Sequence, residues 1–282
     1  MHWQTTRFRI DLSLPRVMGI VNVTPDSFFD GGLHAETRAA IAHCERLVLQ
    51  GADILDIGGE STRPGADALG AAHEFSRVLP VLREAVRLGV PVSVDTSEPL
   101  VMREALALGV DIINDVRALQ RPGALACVAA FAKAGVCLMH MKGEPTHMQA
   151  EAVYGDVVAE VRDYLQARVQ VLQQVGVAAE RLVLDPGIGF AKTPDHNLAL
   201  LSRQAELLSL GRPLLVGWSR KGTLGHVTGR RVAERLAASV AAALLAVQRG
   251  ASIVRVHDVA ATVDALKVWR AAERGACDPA LA

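Results

Sequence analysis

Short apolar, β-prone runs recur along the chain, and each of them leads to a polar or charged residue. Continuous apolar runs of this length are typical of parallel strands that are buried on both faces. The eight runs end at or near Asn22, Asp56, Asp95, Asn114 with Asp115, His140, Asp185, Ser219 and His257. The pattern therefore predicts eight strands of a parallel sheet.

Segments with helical periodicity lie between these runs and supply the crossovers that parallel pairing requires. They cover residues 37–50, 71–88, 99–108, 122–133, 154–175, 197–210, 232–249 and 259–274. The alternation predicts an α/β fold, with residues 1–282 forming a single (β/α)8 TIM-barrel domain. A short strand or hairpin around residues 8–12 is expected at the barrel floor. Because the carboxyl ends of barrel strands converge on one face, the polar residues that end the runs should surround one pocket.

Glycines mark the points at which the predicted helices stop. A left-handed residue at a helix C-terminus is most often glycine, so we expect this conformation where a helix turns into the next strand. The glycines concerned are Gly51, Gly89, Gly109, Gly135, Gly176, Gly211 and Gly250.

The composition excludes several functional classes. Thirty basic residues balance thirty acidic ones, and there is no block of Lys and Arg, so we expect no nucleic-acid partner. The N-terminus has no apolar signal region, and the most apolar helix, residues 236–247, is shorter than the roughly 20 residues that span a bilayer. We therefore expect a cytoplasmic protein with no membrane partner. The four cysteines, Cys44, Cys127, Cys137 and Cys277, lack metal-binding spacing and are expected to be reduced thiols.

Two long segments follow the first and second strands and carry candidate binding groups. In the first, NVTPDSFFDGG, Asn22 could hold a metal or a phosphate oxygen while Asp26 or Asp30 reaches a substrate; a solvated turn is the alternative, because Pro-Asp and Asp-Gly are ordinary turn pairs. In the second, GGESTRPG, backbone amides, two hydroxyls and Arg63 suit an anion or an aromatic acid. A plain surface loop remains the alternative there.

Two glycine-containing motifs do not match the nucleotide-binding patterns that they superficially suggest. GIGFAK lacks the third glycine of a dinucleotide fingerprint, and GWSRKGT lacks the spacing of a phosphate loop. Their position is more informative, since Ser219, Arg220 and Lys221 follow the seventh strand. Arg255 and His257 alternate along the eighth strand and so face the same side. The region after strands seven and eight of such barrels often binds phosphate.

Three further polar residues, Asp95, Asn114 and Asp185, lie at strand ends. Burying their ionised or amide side chains without partners would be costly. A ligand rich in N–H donors would satisfy them. The alternative is a structural network in which Asp185 pairs with Lys221.

At this point the motifs closely resemble the dihydropteroate synthase family over nearly the whole barrel. The matching segments are GIVNVTPDSFFDGG, DIGGESTRPGA, VSVDT, INDV, HMKGEPTHMQ, DPGIGFAKT, WSRKGTLG and RVHDV, in the family's order. The resemblance implies the condensation of 6-hydroxymethyl-7,8-dihydropterin pyrophosphate with 4-aminobenzoate, which gives 7,8-dihydropteroate and pyrophosphate. It also implies Mg²⁺ as the metal, inhibition by sulfonamides and a homodimer formed by helices away from the pocket.

The resemblance also implies a role for each matching residue. The pterin would be bound by Asp95, Asn114, Asp185 and Lys221. The pyrophosphate would be bound by Asn22, Arg63, Arg255 and His257, with Asn22 also a ligand of Mg²⁺. The 4-aminobenzoate would be bound by Ser61, Thr62, Phe190 and Ser219. The catalytic set would be Asp30, Arg63, Lys221, Arg255 and His257.

By the same resemblance the mechanism is dissociative, and Asp30 stabilises a pterin methylene cation after pyrophosphate leaves. The sequence departs from the family pattern at Phe29, Ala191 and Gly222, on the aminobenzoate side. Two other functions stay open at this stage. One is a pterin-binding methyltransferase barrel, and the other is a catalytically silent barrel that binds pterins.

Overall fold

A computed structural model of the chain describes residues 1–23, 32–60, 70–144 and 146–276. Eight parallel strands form a closed barrel, in the order β10-β3-β4-β5-β6-β7-β8-β9. The barrel strands are β3 (Arg16–Asn22), β4 (Ile54–Gly58), β5 (Val92–Asp95), β6 (Ile112–Asp115), β7 (Gly135–Met139), β8 (Leu182–Asp185), β9 (Leu214–Val216) and β10 (Ala251–Val256). The predicted (β/α)8 barrel is confirmed.

Helices follow the barrel strands in the described part of the chain. They are α1 (Gly32–Leu49), α2 (Ala71–Ala85), α3 (Pro99–Ala107), α4 (Ala124–Ala130), α5 (Val157–Gln174), α6 (Pro194–Ser202), α7 (Gly222–Thr228), α8 (Leu236–Gln248) and α9 (Val259–Arg274). The short helix α7 was not predicted, because its sequence GTLGHVT holds two glycines and no apolar stripe. The predicted helix at residues 197–210 is divided into α6 and a 3₁₀ segment, Gln204–Leu210.

A hairpin closes the barrel floor. Its strands β1 (His2–Gln4) and β2 (Arg9–Asp11) are antiparallel. The indole of Trp3 is fully buried, and its Nε1 donates to the carbonyl of Arg181 at 2.8 Å. The hairpin and the lower inner face of the barrel form one apolar cluster, made of Trp3, Ile10, Leu12, Met18, Ile54, Ile112, Cys137, Val183, Leu215 and Ile253.

An ion pair fastens this hairpin to the barrel. The carboxylate of Asp111, which is fully buried at the start of β6, accepts the backbone N–H of Arg7 at 2.9 Å and that of Val92 at 2.9 Å. The guanidinium of Arg7 pairs with the same carboxylate. Every oxygen of Asp111 therefore has a donor within the fold itself.

Inside the barrel, a polar layer lies directly above the apolar floor layer. Side chains two residues apart on a strand point to the same face. On four strands, an apolar side chain in the floor layer is therefore followed, two residues later, by a polar side chain that points to the same face. The pairs are Ile54 and Asp56, Ile112 and Asn114, Val183 and Asp185, and Ile253 and Arg255. The polar layer faces the carboxyl ends of the strands.

The glycine predictions hold at six positions and fail at one. Positive φ angles occur at Gly51, Gly89, Gly109, Gly176, Gly211 and Gly250. Gly135 is instead the first residue of β7. A Cβ there would lie 3.1 Å from Cγ2 of Thr5 and 3.2 Å from the carbonyl oxygen of Gln4, so this glycine allows the floor hairpin to approach the barrel closely.

No helix in the described part of the chain is both long and apolar enough to cross a membrane. Cys44, Cys127 and Cys137 are free thiols. Burial raises the pKa of Cys44 to about 12, which is typical of an unreactive core thiol. Cys277 lies outside the described residues.

Candidate active site

One arginine holds two carboxylates together at the mouth of the barrel. Arg255 extends from β10, and its Nε donates to Oδ2 of Asp56 at 2.6 Å. Its Nη2 donates to Oδ2 of Asp95 at 2.8 Å. Asn114 joins the same group, since its Nδ2 donates to Oδ2 of Asp56 at 3.2 Å. Residues from four strands, β4, β5, β6 and β10, thus meet above the floor layer.

Asp56 belongs to this network, although the sequence indicated only that it lies near the end of a strand and suggested no ligand for it. It is fully buried, and its Oδ1 has no hydrogen-bond partner. A buried polar atom left in this state costs about 1–3 kcal/mol. Asp56 lies two residues after the apolar Ile54, just as Arg255 lies two residues after the apolar Ile253. This shared spacing could have identified Asp56 from the sequence. The free acceptor is suited to an N–H donor of a ligand.

Two other strand-end carboxylates have perturbed acidity. Burial raises the pKa of Asp95 above its usual value, although the Arg255 guanidinium opposes the shift. Burial also raises the pKa of Asp185, which accepts the backbone N–H of Gly187 at 2.7 Å. Buried acceptors with perturbed pKa values, clustered in a cleft, are typical of binding and catalytic sites.

Lys221 lies beside this group, immediately after β9. Its Nζ is 4.3 Å from the centroid of the Phe190 ring, which is a cation–π distance. Burial, together with the nearby Arg255, lowers the pKa of Lys221 to about 8. Asp185 accepts from the Gly187 backbone, and Lys221 contacts the Phe190 ring. The two charges also interact, since each favours the charged form of the other.

Ser219 and His257 contact each other, as expected for residues that end adjacent strands. The hydroxyl of Ser219 accepts the backbone N–H of His257 at 3.1 Å and lies 2.9 Å from its Nδ1. Burial lowers the pKa of His257 to about 3, so the ring is neutral near pH 7 and Nδ1 can accept the Ser219 proton. Arg220, the residue after Ser219, pairs with Asp258, the residue after His257, at 2.6 Å.

An apolar wall borders the polar group. It consists of Val116, Met139, Met141, Met148 and Ala191, with Phe190 packed against them. Met139 ends β7 in register with Asp185 on β8. An apolar surface with a few convergent polar groups is the usual construction of a site for a heteroaromatic ligand.

Several predicted site residues lie outside the described part of the chain: Phe29, Asp30, Ser61, Thr62 and Arg63. Asn22 is described. It ends β3, is half-buried and pairs in register with Gly58. Gly222 is the first residue of α7, and Ala191 has a φ of 50°.

The chain matches a known protein family along most of its length. Residues 18–257 match the family described as pterin binding enzyme. A dihydropteroate synthase of Neisseria meningitidis serogroup B is 54% identical over 275 residues, which cover 95% of this chain and 96% of the relative.

Solved structures give the same result. A Yersinia pestis dihydropteroate synthase in a sulfonamide drug complex superposes with a TM-score of 0.92 at 44% identity, covering 97% of this chain and 100% of that one. A Xanthomonas albilineans dihydropteroate synthase in complex with 7,8-dihydropteroate superposes with a TM-score of 0.89 at 48% identity, covering 97% and 99%. The chain therefore belongs to the pterin-binding enzymes and, within them, to the dihydropteroate synthase family.

Proposed function

We propose that this protein condenses 6-hydroxymethyl-7,8-dihydropterin pyrophosphate with 4-aminobenzoate to give 7,8-dihydropteroate and pyrophosphate. The observation that carries the proposal is the polar layer at the barrel mouth, where strand-end acceptors surround the guanidinium of Arg255. Membership of the dihydropteroate synthase family supports it, and so does the solved relative that contains 7,8-dihydropteroate.

The acceptor side of this layer suits the pterin ring. A 2-amino-pyrimidinone edge presents parallel N–H donors, and a carboxylate can accept two of them at once. We assign this role to Asp185, with Asn114 and Asp95 beside it. The unpaired Oδ1 of Asp56 adds one more acceptor below them. Lys221 would donate to the opposite, acceptor-rich edge of the ring.

The cationic side suits the pyrophosphate. Arg255 uses two of its N–H groups for Asp56 and Asp95, and a guanidinium has five, so donors remain for phosphate oxygens. These donors would stabilise the charge that grows on the leaving group. His257, which is neutral, can donate through its Nε2–H. Asn22 and Arg63 complete this proposed subsite.

The bond changes follow from this arrangement. The bond between the pterin methylene carbon and the pyrophosphate oxygen breaks, and its electron pair leaves with pyrophosphate. The methylene cation is stabilised by Asp30 until the arylamine nitrogen attacks it and then loses a proton. No protein nucleophile is needed. The arylamine would lie against Phe190 and near Ser219, and we also assign Ser61 and Thr62 to its binding.

The residues present fit a Mg²⁺ ion that arrives with the substrate. Within the described residues no group of three or more His, Cys, Asp or Glu side chains could hold a metal ion, and Asp56 and Asp95 are engaged by Arg255. Mg²⁺ is often bound mainly through substrate phosphates with few protein ligands. We propose Asn22 as the protein ligand. When bound, the ion would neutralise charge on the pyrophosphate.

A turnover assay tests the proposal. The purified protein is incubated with pterin pyrophosphate and 4-aminobenzoate, with Mg²⁺ or with excess EDTA, and dihydropteroate and pyrophosphate are quantified. We expect equal amounts of both products and a strong loss of turnover on chelation. Pterin binding without product, at any metal concentration, would instead support a silent pterin-binding protein.

We further propose that the protein acts in the cytoplasm as a homodimer. Apolar side chains are exposed between α7 and the start of α8, at Val227, Val232 and Leu236, and supply an apolar surface for a second copy. Sedimentation equilibrium measures the assembly directly. A single species at the monomer mass of 30.0 kDa would refute the dimer.

A further inference from the structure

The buried lysine Lys192 has four hydrogen-bond acceptors around its side-chain nitrogen. The ammonium of Lys192, at the end of the GIGFAK motif, is buried in the protein. Its Nζ lies 2.9 Å from Nδ1 of His140, 3.0 Å from the carbonyl oxygen of Gly187 and 3.0 Å from that of Phe190. The carbonyl oxygen of His140 is 3.4 Å away. These acceptors come from the β7 end and from the segment after β8.

The acceptors use all the hydrogen-bonding capacity of an ammonium group. A lysine ammonium has three donors and no acceptor. Burial lowers the pKa of Lys192 to about 7. Burial and the nearby Lys192 lower the pKa of His140 to about 2, so its ring is neutral and Nδ1 is free to accept. The geometry thus matches a charged lysine that donates to a neutral histidine and to backbone oxygens.

The segment that Lys192 contacts has an unusual backbone. Gly187, Gly189 and Ala191 all have positive φ, at 70°, 85° and 50°. A left-handed conformation is unfavourable for alanine, because its Cβ comes too close to the backbone. A Cβ at Gly187 would lie 1.9 Å from the carbonyl oxygen of His140, so the segment is also pressed against the end of β7. Such a conformation persists only where surrounding contacts hold it.

Other contacts hold the outer side of the same segment. The hydroxyl of Tyr154 donates to the carbonyl of Ala191 at 2.9 Å. The amide of Asn197 accepts the N–H of Gly189 at 2.8 Å and donates to Thr223 at 3.0 Å. Thr223 lies two residues after Lys221. The segment is thereby tied to the chain that carries the lysine packed on Phe190.

We propose that Lys192 is a positioning residue that holds the segment of residues 187–191 so that Phe190 forms the aminobenzoate side of the site. The proposal rests on the function proposed above. It distinguishes the two substrates by degree. The backbone of Asp185 is held by the barrel ladder, where it pairs with Met139, and only the bond from the Gly187 N–H to its carboxylate comes from the segment, whereas Phe190 lies within the segment. Loss of the ammonium should therefore weaken the aminobenzoate subsite more than the pterin subsite.

Steady-state kinetics of Lys192→Met, with each substrate varied in turn, tests this. Methionine keeps the apolar stem and removes the charged donor. Since hydrogen bonds to charged groups contribute strongly, we expect the KM for 4-aminobenzoate to rise about tenfold. The KM for pterin pyrophosphate should rise by a clearly smaller factor. Lys267→Met on α9, where the side chain is half-exposed, is the matched control and should change neither KM.

A second pair of variants keeps the test decisive if Lys192→Met does not fold. Lys192→Gln retains two neutral donors, and Tyr154→Phe removes only the hydroxyl that bonds Ala191. Both variants should raise the KM for 4-aminobenzoate by less than Lys192→Met does. We expect an increase of roughly two- to fivefold for the loss of one neutral hydrogen bond. Thermal melting confirms that each variant is folded.

The outcomes separate this inference from the proposed function. An inactive wild-type protein would overturn the function and the inference with it. An active wild type whose folded Lys192 and Tyr154 variants keep the wild-type aminobenzoate KM would overturn the inference alone. Equal increases in both KM values would also overturn it, because a general loss of structure affects both subsites.

Discussion

Two fully buried aspartates, Asp111 at the floor of the barrel and Asp56 at its mouth, are partnered in opposite ways. Asp111 at the floor accepts backbone N–H groups of Arg7 and Val92, in addition to the Arg7 guanidinium. Asp56 at the mouth shares Arg255 with Asp95, and its Oδ1 has no partner. The same residue type is thus saturated in one place and left with a free acceptor in the other.

The difference separates a floor that is built for stability from a mouth to which we assign binding. Natural structures satisfy nearly all buried polar groups, and the exceptions concentrate at functional sites. The floor adds the Trp3 hairpin and an apolar layer, both typical of a structural closure. The mouth holds acceptors with perturbed pKa values beside one arginine. Substitutions at the two ends should therefore affect different measurements.

A matched pair of arginine variants should show the largest contrast. Arg255→Met removes the donors that we assign to the leaving pyrophosphate, and we expect turnover to fall roughly 100- to 1,000-fold. Arg7→Met removes the guanidinium from Asp111, and we expect the free energy of unfolding to fall by about 2–3 kcal/mol. Turnover per folded Arg7→Met molecule should equal that of the wild type. Product formation and urea unfolding measure the two effects, and the comparison fails if Arg7→Met lowers turnover as much as Arg255→Met.

Asp185→Asn should have the next largest effect, confined to the mouth. The variant loses one charge-assisted acceptor for the pterin edge, and hydrogen bonds to charged groups contribute about 1.5–3 kcal/mol. The dissociation constant for pterin pyrophosphate should rise about 10- to 100-fold. Isothermal titration calorimetry measures it without turnover. Unchanged affinity would remove Asp185 from the site.

The pH dependence of binding should identify Lys221. Its pKa is lowered to about 8, chiefly by burial. The ammonium therefore loses its charge as pH rises through about 8, and the kcat/KM for pterin pyrophosphate should fall on that side of the profile. Arg does not titrate in this range, so Lys221→Arg should lose this decline even if its activity is lower. A decline that persists near pH 8 in Lys221→Arg would assign it to another group.

Ser219→Ala should produce the smallest change. It removes a hydroxyl that contacts both the backbone N–H and Nδ1 of His257. A neutral hydrogen bond contributes about 0.5–1.5 kcal/mol, so we expect a decrease of roughly two- to tenfold in kcat/KM. A decrease as large as that of Arg255→Met would mean that Ser219 contacts the reacting groups directly.

Periodicity and position in the chain predicted most of the barrel and the convergence of its strand ends. Apolar runs followed by polar residues identified Asp95, Asn114 and Asp185, because parallel strands bring their carboxyl ends to one face. Asp56 was expected near the pocket but was given no binding role, because it lies inside β4, whereas Asp95 and Asp185 are the last residues of their strands. The alternation of Ile54 and Asp56, compared with Ile253 and Arg255, contained that information.

Other features could not be read from local sequence. The ion pair of Arg255 with Asp56 joins residues 199 positions apart, and the hydrogen bond of Lys192 with His140 joins residues 52 positions apart. Neither spacing has a local pattern. In the sequence, Lys192 stands where a dinucleotide motif would have its third glycine. Only the fold shows the carbonyl oxygens around its ammonium group. Gly135 resembled the end of a helix in the sequence. The structure shows that a glycine is needed there because the floor hairpin approaches the barrel closely.

Calorimetric titration of pterin pyrophosphate into Asp56→Asn and Asp111→Asn, with thermal melting of both, tests the central claim most directly. The account predicts that Asp56→Asn weakens binding about tenfold and melts close to the wild-type temperature. Asp111→Asn should bind with wild-type affinity and unfold with about 3 kcal/mol less free energy. Wild-type affinity in Asp56→Asn, or an equal loss of affinity in Asp111→Asn, would contradict the division between a binding mouth and a structural floor.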